Sequence, residues 1–452
     1  MKAYEKIIVA LDVDDPEKAT KLVTELGPII GSFKIGLEFI TTIIKTVLTG
    51  TEKESMLNLF KIRDLFSSLK DKVFWDNKFH DISNTVAKAS KLVSELCVKM
   101  FNLHASAGIE AMAEAVANKG LSEVLAVTVL TSLEENEAHL IYGSPSKAKV
   151  LQFARDAKAA GCDGIVCSAQ ELILLEKHEK EFNNFKKVTP GIRSSDDQKD
   201  DQNRTMTPYE AIRHGATELV IGRPITKNEK LSPTEAVKKI VEEIKIGLKH
   251  RFFTILFNLK KIKFGQFKLK LHEKNPDAPL SPIYLNIREL PDWLYILAGD
   301  LLHDLIDQEG LEDFDYIIGI PKAGEPIGKA LAKAVKKPLL RIEKIESEDG
   351  RKITSNILDP FVPGKKVLLV DDLITKADTK REAIKSVEIN GLVVIATIVL
   401  VDREQGGLEE LNKEEKKVYA VSKLSELLNL FVSEKKITQA KAEEVTEYIK
   451  NN

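Results

Sequence analysis

The stretch Phe74-Trp75-Asp76-Asn77-Lys78-Phe79-His80-Asp81-Ile82-Ser83-Asn84-Thr85 places three charges directly after an apolar run. The apolar run 73–75 predicts a strand, and side chains alternate along a strand, so we expect Asp76 and Lys78 on the same face. Asp81 follows, where the chain turns toward a helix. An ammonium beside carboxylates stays protonated and ready to donate a proton. Asp-x-Lys pairs also occur on solvent-exposed strands. The residues on the neighbouring strands are therefore needed to distinguish an active site from an ordinary surface.

The composition is that of an ordinary soluble protein with more than one domain. The chain has 452 residues, of which 43% are hydrophobic and 30% charged, and this length predicts about two or three domains. Its 67 Lys and Arg against 69 Asp and Glu give no imbalance that favours nucleic acid or a membrane surface. The first residues predict a strand rather than a signal peptide, and no apolar run reaches the roughly 18 residues of a membrane span. Three cysteines, Cys97, Cys162 and Cys167, indicate reduced thiols in a cytoplasmic protein.

Short apolar runs alternate with amphipathic helical segments over the first half of the chain. Eight such strands over about 240 residues predict a (β/α)8 TIM barrel. A doubly wound open sheet is the alternative, but the even spacing of eight units favours closure. The predicted strands are residues 7–11, 32–35, 73–76, 101–103, 125–129, 164–167, 187–189 and 219–221.

Polar residues follow most of these strands, at the barrel end where active sites lie. Any one of them is compatible with packing, but together on one rim they indicate a site. Gly222 and Arg223 follow the eighth strand, where this fold commonly binds phosphate. The long polar loop 194–207, which contains Gln202, is predicted to close over that phosphate. The rim residues are Asp12, Lys34, Asp76, Lys78, His104, Thr131, Ser132, Arg193, Gly222 and Arg223.

The residue types on the rim limit the chemistry. We find no cluster with metal-ligand spacing, no glycine-rich dinucleotide loop and no nucleophile beside a base. A lysine with carboxylates suggests proton transfer to or from carbon, or a Schiff base. Asp76 beside Lys78 argues against the Schiff base, since it keeps the amine protonated.

These residues resemble the bacterial type of orotidine 5′-phosphate decarboxylase. The matching motifs, in family order, are Ala10-Leu11-Asp12, Phe33-Lys34-Ile35-Gly36, Asp76-Asn77-Lys78-Phe79-His80-Asp81-Ile82, Thr128-Val129-Leu130-Thr131-Ser132, Thr189-Pro190-Gly191-Ile192-Arg193, Asp201-Gln202-Asn203-Arg204 and Gly222-Arg223-Pro224-Ile225. Asn77, where the family often has an apolar residue, is a small departure.

The resemblance implies a role for each matched residue. It implies that Lys78 protonates C6 of the pyrimidine as carbon dioxide leaves, and that Asp76 faces the substrate carboxylate. It implies that Lys34 and Asp12 hold the ribose hydroxyls, and that no cofactor or metal takes part in decarboxylation. The further positions implied are Asp81, Ile82 and Thr85 across a homodimer interface, Ser132 at the pyrimidine edge, Gln202 and Arg223 on the phosphate, and Thr131, Pro190, Arg193 and Gly222 around the substrate.

A second α/β pattern follows a boundary placed near Lys249, which gives domains 1–248 and 249–452. Its informative stretch, residues 367–380, is an apolar strand, then Asp371 and Asp372, then a turn opening a helix. Such paired carboxylates hold ribose hydroxyls or Mg²⁺, and the N–H groups of a helix start cradle phosphate. A surface turn with capping residues is the alternative.

This second half resembles a type I phosphoribosyltransferase with a parallel sheet, and segments 264–270 and 281–284 narrow the resemblance to orotate phosphoribosyltransferase. The resemblance implies orotate and phosphoribosyl pyrophosphate (PRPP) as substrates, with Mg²⁺ bound to PRPP at Asp371 and Asp372. The turn Lys376-Ala377-Asp378 departs from the family, which carries glycine there, and the loop 347–352 is more acidic than usual. We expect the Cβ of Ala377 and the carboxylate of Asp378 to be unfavourable beside a 5′-phosphate. The positions implied are Lys270, Tyr284, Arg341, Lys344, Asp371, Asp372, Thr375 and Thr379.

Three functions remain open at this point. The favoured one is a bifunctional enzyme that makes orotidylate from orotate and PRPP and decarboxylates it to UMP, an order seen in some fused UMP synthases. The second is a decarboxylase carrying a silent nucleotide-binding or oligomerisation domain. The third, a metal-dependent sugar-phosphate decarboxylase, conflicts with Ser132, Gln202 and Arg223. We expect small-molecule substrates, no nucleic acid or membrane partner, a homodimer through the barrel or a higher oligomer, and a cytoplasmic location.

Overall fold

The computed structural model describes residues 2–49, 51–193, 205–268, 277, 279–347 and 350–451. The chain forms two compact units, Met1–Gly247 and Leu248–Asn452. The division falls within one helix, Pro233–Asn258. No helix in these described ranges is both long and apolar enough to cross a membrane.

Eight parallel strands form a closed barrel in the first unit, in the order β1 to β8, with β8 pairing back onto β1. This confirms the predicted barrel, because each of the eight apolar runs is a strand. The strands are β1 Ile7–Ala10, β2 Ser32–Gly36, β3 Val73–Phe79, β4 Met100–His104, β5 Glu123–Val127, β6 Gly164–Val166, β7 Lys186–Thr189 and β8 Glu218–Ile221.

Helices connect the strands and cover the barrel. Helix α1 begins where Asp15 accepts a hydrogen bond from the backbone N–H of Glu17, with proline in its first turn, which is the pattern expected of a capped helix start. The helices are α1 Pro16–Leu26, α2 Leu37–Leu48, α3 Glu52–Leu69, α4 Ser83–Glu95, α5 Ile109–Ala117, α6 Glu135–Tyr142, α7 Ser146–Ala159, α8 Ala169–Glu176, α9 Glu179–Phe182, α10 Pro208–Arg213, α11 Arg223–Thr226 and α12 Pro233–Asn258.

A buried charged residue lies at the end of the barrel where the strands begin. Glu218 is fully buried at the start of β8, and its carboxylate lies 3.0 Å from Lys99 Nζ and 3.5 Å from Lys186 Nζ. Burial alone would raise the pKa of Glu218, but Lys186, Lys99 and Lys6 lower it below its ordinary value of 4.5. The ionised carboxylate is therefore part of the folded structure, as is usual for a paired buried charge.

We expect Glu218→Gln to destabilise the protein by about 3 kcal/mol at pH 7, because the ammonium of Lys99 loses its counter-ion and that of Lys186 loses one of two, keeping Glu123 at 2.6 Å. A pKa lowered on folding contributes stability above the unfolded pKa, and this contribution is lost as the pH falls through the lower, folded value. Urea denaturation at pH 7 and pH 4, followed by circular dichroism, tests both statements. The exposed pair of Glu181 with Arg155 provides the control, since Glu181→Gln is expected to change stability by less than about 1 kcal/mol. Equal effects at both sites would contradict the assignment.

The second unit contains a parallel sheet of five strands, in the order β12-β11-β15-β16-β17. Two antiparallel hairpins, β9–β10 and β13–β14, accompany it. The strands are β9 Ile262–Phe267, β10 Ser281–Leu285, β11 Tyr316–Gly319, β12 Leu339–Leu340, β13 Ile342–Ser347, β14 Gly350–Ile357, β15 Lys366–Ile374, β16 Val393–Asp402 and β17 Val418–Lys423. The helices are α13 Asp292–Gln308, α14 Gly324–Val335, α15 Asp378–Glu388, α16 Gly407–Lys413, α17 Leu424–Ser433 and α18 Gln439–Asn451.

The strand β15 is longer than the sequence predicts. It runs to Ile374, so Asp371 and Asp372 lie within the C-terminal part of the strand and not after its end. The extension follows from pairing, since β15 is hydrogen-bonded to β16 as far as Ile374 and Asp402. Gly324 at the start of α14 packs against this strand, and a Cβ there would lie 2.2 Å from the carbonyl oxygen of Val370. The absence of a side chain therefore lets the loop after β11 lie against β15.

Candidate active sites

Four charged side chains form a continuous line at the C-terminal ends of β1, β2 and β3. Lys34 Nζ lies 3.0 Å from Asp12 Oδ1 and 3.3 Å from Asp76 Oδ2, and Lys78 Nζ lies 2.7 Å from Asp76 Oδ1. Burial alone would lower the pKa of Lys34, but Asp76 and Asp12 outweigh it and raise the pKa above the ordinary value. The structure thus brings Asp12, Lys34, Asp76 and Lys78 together, with alternating signs of charge.

Lys78 lies next to Asp76 because the backbone of β3 is irregular at this point, and not because side chains alternate along a regular strand. From Trp75 to Phe79 β3 advances four residues, while its partner β4 advances two, from Phe101 to Leu103. Lys78 adopts a positive φ of 49° within this bulge, which is uncommon for a residue with a side chain. The simple alternation expected from the sequence is therefore wrong here, although the two side chains do meet.

Asn102 was not recognised from the sequence, yet it contacts two residues of this line. It is fully buried on β4. Its Nδ2 donates to Asp76 Oδ1 at 2.7 Å, and its Oδ1 accepts the backbone N–H of Lys78 at 2.8 Å. The only sequence signal is an asparagine inside the otherwise apolar run Met100–Leu103, and such a residue is expected to need polar partners when buried.

Two histidines lie beside the charged line. The rings of His80 and His104 are 5.3 Å apart, and His80 Nε2 is 3.4 Å from the hydroxyl of Ser106. Burial, followed by the charges of His80 and Lys78, lowers the pKa of His104 below its ordinary value. His104 is therefore neutral at neutral pH, and it adds no third positive charge next to Lys78.

Two adjoining cavities open next to the charged line, and both are lined by Lys34, Pro190 and Val220. The smaller, of about 170 Å³, is largely apolar and contains Asp76 and Lys78 in its wall. The larger, of about 470 Å³, is lined by polar and basic groups that include Arg193 and Arg223. This arrangement suits a ligand that has a flat apolar group next to Lys78 and an anionic group next to Arg193 and Arg223.

The remaining predicted barrel residues are placed as follows. Thr131 lines the smaller cavity, and Gly222 lines the larger one. Ser132 is exposed and does not line either cavity. Gln202 and the rest of 194–204 lie outside the described residues. Asp81, Ile82 and Thr85 are exposed around the start of α4, and Ile82 is 71% exposed.

Asp371 and Asp372 form the polar edge of the second unit, together with a buried lysine. Both carboxylates are buried, and Lys380 Nζ donates to Asp371 Oδ2 and to the carbonyl oxygen of Leu373, each at 2.6 Å. Burial and the charge of Asp371 raise the pKa of Asp372 to about 7. The pair thus carries less negative charge at neutral pH than two free carboxylates would.

The turn Thr375–Asp378, which departs from the family pattern, is less obstructed than its sequence suggests. Ala377 is fully buried among the apolar side chains of the sheet and α15. Asp378 is exposed, and its Oδ1 accepts a hydrogen bond from Arg381 at 3.1 Å. The Cβ and the carboxylate that were expected to oppose a phosphate are therefore packed or paired elsewhere. Thr375 and Thr379 lie on this turn and at the start of α15.

The other predicted contacts of this unit are placed as follows. Arg341 forms a bidentate ion pair with Asp359, with N–O distances of 3.0 and 2.7 Å. Tyr284 is exposed on β10, where its ring lies 5.7 Å from that of Phe267. Lys270 and the side chain of Lys344 lie outside the described part of the chain, as do residues 348 and 349 and the side chains of 347 and 350–352.

Arg403 is a second residue that the sequence did not reveal. It follows β16, its backbone N–H donates to the carbonyl oxygen of Ile374 at 3.0 Å, and its side chain is buried. Among the described residues, its Nε and Nη2 have no hydrogen-bond partner, and no carboxylate forms an ion pair with it. Burial lowers the pKa of this guanidinium. A buried arginine without a counter-ion indicates a place for an anion.

These features define the class of protein: a (β/α)8 barrel with a lysine–carboxylate line beside an arginine-lined cavity, followed by an α/β unit with paired acids at a strand edge. The chain belongs to the orotidine 5′-phosphate decarboxylase / HUMPS family, whose sequence pattern matches residues 5–240. Residues 290–428 match the phosphoribosyl transferase domain.

Individual relatives agree with this assignment. The chain is 40% identical over 262 residues to the orotidine 5′-phosphate decarboxylase of Heliobacterium modesticaldum, covering 56% of this chain and 100% of that protein. It is 43% identical over 228 residues to that of Shewanella sediminis, covering 49% of this chain and 90% of the relative. The solved UMP synthase of Leishmania donovani is similar over 100% of this chain and 98% of its own, with a TM-score of 0.52 and 19% identity. At that identity the likeness concerns the fold.

Proposed function

We propose that the chain is a bifunctional enzyme of pyrimidine nucleotide synthesis. Its barrel decarboxylates orotidine 5′-phosphate to UMP, and its second unit makes orotidine 5′-phosphate from orotate and PRPP. The observation that carries the proposal is the line Asp12–Lys34–Asp76–Lys78 next to a cavity with two arginines. Family membership supports the first activity, and the phosphoribosyl transferase match supports the second.

In the decarboxylation, the bond between C6 and the carboxylate breaks and its electron pair remains on C6. Lys78 Nζ–H then delivers a proton to C6, carbon dioxide leaves, and the amine regains a proton from solvent. The ammonium, held 2.7 Å from Asp76, is already oriented, so little reorganisation is needed as negative charge develops. This chemistry needs no cofactor, and Asp76 next to the leaving carboxylate favours its departure.

The two cavities divide the substrate between them. The largely apolar cavity suits the pyrimidine, with Thr131 in its wall. Ser132, the next residue, does not line this cavity, and its contact with the pyrimidine edge is part of the proposal. The larger cavity suits the 5′-phosphate, held by Arg223, by Arg193 and by the backbone at Pro190 and Gly222. Lys34 and Asp12 lie between the two, where ribose hydroxyls would be. Gln202 is proposed to complete the phosphate site, and phosphate contacts supply binding energy remote from C6.

We infer a homodimer in which Asp81, Ile82 and Thr85 complete the partner's site. These residues are exposed around the start of α4, and two leucines further along the chain are also exposed, Leu92 on the helix (64%) and Leu96 just after it (54%). These exposed apolar side chains support a contact with a second copy of the chain. A higher oligomer is compatible with this contact.

Mixing inactive Lys78→Ala and Asp81→Ala proteins, after brief dissociation, is expected to restore about a quarter of the wild-type activity, because half of the dimers are mixed and each holds one intact site. Decarboxylation assays before and after mixing measure this recovery. Unmixed variants carried through the same dissociation provide the control. No recovery, although light scattering reports mixed dimers, would contradict a shared site.

In the second unit, Asp371 and Asp372 are proposed to bind the ribose hydroxyls of PRPP, with the turn from Thr375 to Thr379 around its 5′-phosphate. Asp371 is already bound to Lys380, so the two acids offer few free oxygen atoms. This fits an Mg²⁺ ion that is carried by the diphosphate, since Mg²⁺ commonly takes one or two carboxylates with phosphate and water. Bound in that way, Mg²⁺ would neutralise the diphosphate leaving group. Arg341, Lys344, Lys270 and Tyr284 remain proposed contacts to PRPP and orotate.

Arg403 is proposed to hold the orotate carboxylate. Its backbone N–H bonds to the carbonyl oxygen of Ile374 at the end of β15, and Nε and Nη2 of its buried guanidinium are without partners in the described structure. A planar carboxylate matches the two parallel N–H groups of an arginine. Orotate would thereby be placed beside the ribose held at Asp371 and Asp372.

One assay separates the proposed functions. Purified protein receives orotate, PRPP and Mg²⁺ in one sample and orotidine 5′-phosphate in another, and UMP is measured in both. UMP from both samples supports the bifunctional enzyme. UMP from orotidine 5′-phosphate alone leaves a decarboxylase with a silent second domain, and UMP from neither overturns the proposal. Decarboxylation that survives a metal chelator excludes the metal-dependent alternative.

Free Cys97, Cys162 and Cys167 support the proposed cytoplasmic location.

A further inference from the structure

We propose that the carboxamide of Asn102 is a positioning residue for decarboxylation, which holds the Asp76–Lys78 pair in its reactive geometry. This inference rests on the proposed function of the barrel, since it assigns a residue to that reaction. Asn102 bridges the pair from the neighbouring strand, and we infer no direct contact with the substrate.

The side chain of Asn102 replaces a backbone hydrogen bond between β3 and β4 that the bulge removes. Two extra residues of β3 face β4 at this point, so the N–H of Lys78 cannot pair with a carbonyl of β4 in the regular register. The side-chain Oδ1 of Asn102 accepts this N–H at 2.8 Å instead. A buried N–H without a partner would be costly, so this hydrogen bond stabilises the positive φ of Lys78, the conformation that directs its side chain toward Asp76.

The same amide orients the carboxylate of Asp76. Asn102 Nδ2 and Lys78 Nζ both donate to Asp76 Oδ1, each at 2.7 Å, while Asp76 Oδ2 faces Lys34 at 3.3 Å. The carboxylate is therefore fixed by three donors from three strands. An amide is well suited to this position because it donates to Asp76 and accepts from Lys78 at the same time. Aspartate has no donor at neutral pH, and the shorter side chain of serine has a single oxygen, which cannot occupy the positions of both amide atoms.

The surroundings of the bridge determine how it responds to pH. The charged and titratable groups around it are Asp76 and Lys78 on β3, His80 after β3, His104 on β4, Lys34 on β2 and Asp12 after β1. An ionised carboxylate introduced at position 102 would repel Asp76, whereas a protonated carboxyl would donate to it as the amide does. Two carboxyl groups this close share one proton.

The test compares Asn102→Ser and Asn102→Asp with wild type, using orotidine 5′-phosphate as substrate. We expect Asn102→Ser to lower kcat about 100-fold and to leave KM within about threefold, because misplacement by about 1 Å costs that much while phosphate binding is kept. Asn102→Asp is expected to be slower still at pH 8 and to recover about tenfold relative to wild type as the pH falls to 5.5, since the shared proton restores the donor. Asn118→Ser, at a half-buried asparagine outside the site whose side chain donates to Glu114, is the matched control.

Circular dichroism and UMP binding show whether each variant is folded, and Asn102→Ser remains informative if Asn102→Asp does not fold. A kcat within threefold of wild type for Asn102→Ser overturns the inference, and so does a loss that appears only in KM. A folded Asn102→Asp whose pH profile parallels wild type overturns it as well. If wild type itself does not convert orotidine 5′-phosphate, the proposed function fails and this inference with it, so the two failures are distinguishable.

Discussion

Replacing Lys78 by alanine is expected to lower the rate of decarboxylation by roughly 10⁴-fold or more, because the variant loses both the proton donor and the positive charge next to C6. Binding of UMP is expected to stay within about tenfold of wild type, since the phosphate cavity with Arg193 and Arg223 does not include Lys78. The rate is followed by the loss of orotidine 5′-phosphate, and UMP binding by calorimetry.

The control for this prediction is Lys61→Ala. Lys61 is exposed on α3, where it pairs with Glu17 at 2.7 Å, and its removal is expected to leave the turnover unchanged. Lys78→Ala with wild-type turnover would show that the proton comes from elsewhere. A joint loss of turnover and UMP binding would instead indicate that the line Asp12–Lys34–Asp76–Lys78 holds the site together and that Lys78 has no separate chemical role. The transferase reaction of the same chain reports whether the rest of the protein is intact.

The barrel and most of its charged line could be predicted from the sequence, because both depend on local signals. Eight apolar runs at even spacing predict strands, and the ends of parallel strands meet at one rim. The sequence alone therefore predicts that Asp12, Lys34 and Asp76 lie close together. The bulge in β3 could not, since it depends on the register with β4 and on the amide of Asn102, which lies 24 residues from Lys78.

In the second unit the sequence is less informative, because burial and pairing there are set by tertiary contacts. Ala377 in place of glycine suggested an obstructed phosphate turn, but its Cβ packs into the core. Arg341 stays a predicted contact of PRPP, but the sequence does not reveal that its guanidinium pairs with Asp359. Arg403 stands in the polar run Asp402-Arg403-Glu404, which is typical of a surface, and only the packing of the unit buries it.

Arg403→Leu is expected to lower the rate of orotidine 5′-phosphate formation from orotate and PRPP by about 10³-fold, because a buried carboxylate loses its charged, bidentate partner. The decarboxylation of added orotidine 5′-phosphate by the same protein is expected to be unchanged. Arg403→Lys keeps the charge but not the planar pair of donors, so we expect an intermediate loss. Initial rates at saturating PRPP, with orotate varied, measure each effect.

The stability of Arg403→Leu separates binding from folding. In the wild type the guanidinium is buried, its pKa is lowered by burial, and no carboxylate among the described residues neutralises it. Replacing such a cation by an apolar side chain of similar length is neutral or stabilising for a folded protein. We therefore expect the variant to have an unchanged or higher melting temperature, and orotate to raise the melting temperature of the wild type only. Arg155→Leu, which removes an exposed arginine paired with Glu181, is expected to leave both reactions unchanged. A destabilised Arg403→Leu with normal orotate affinity would assign Arg403 to structure, whereas a stable variant that does not bind orotate would assign it to the substrate carboxylate.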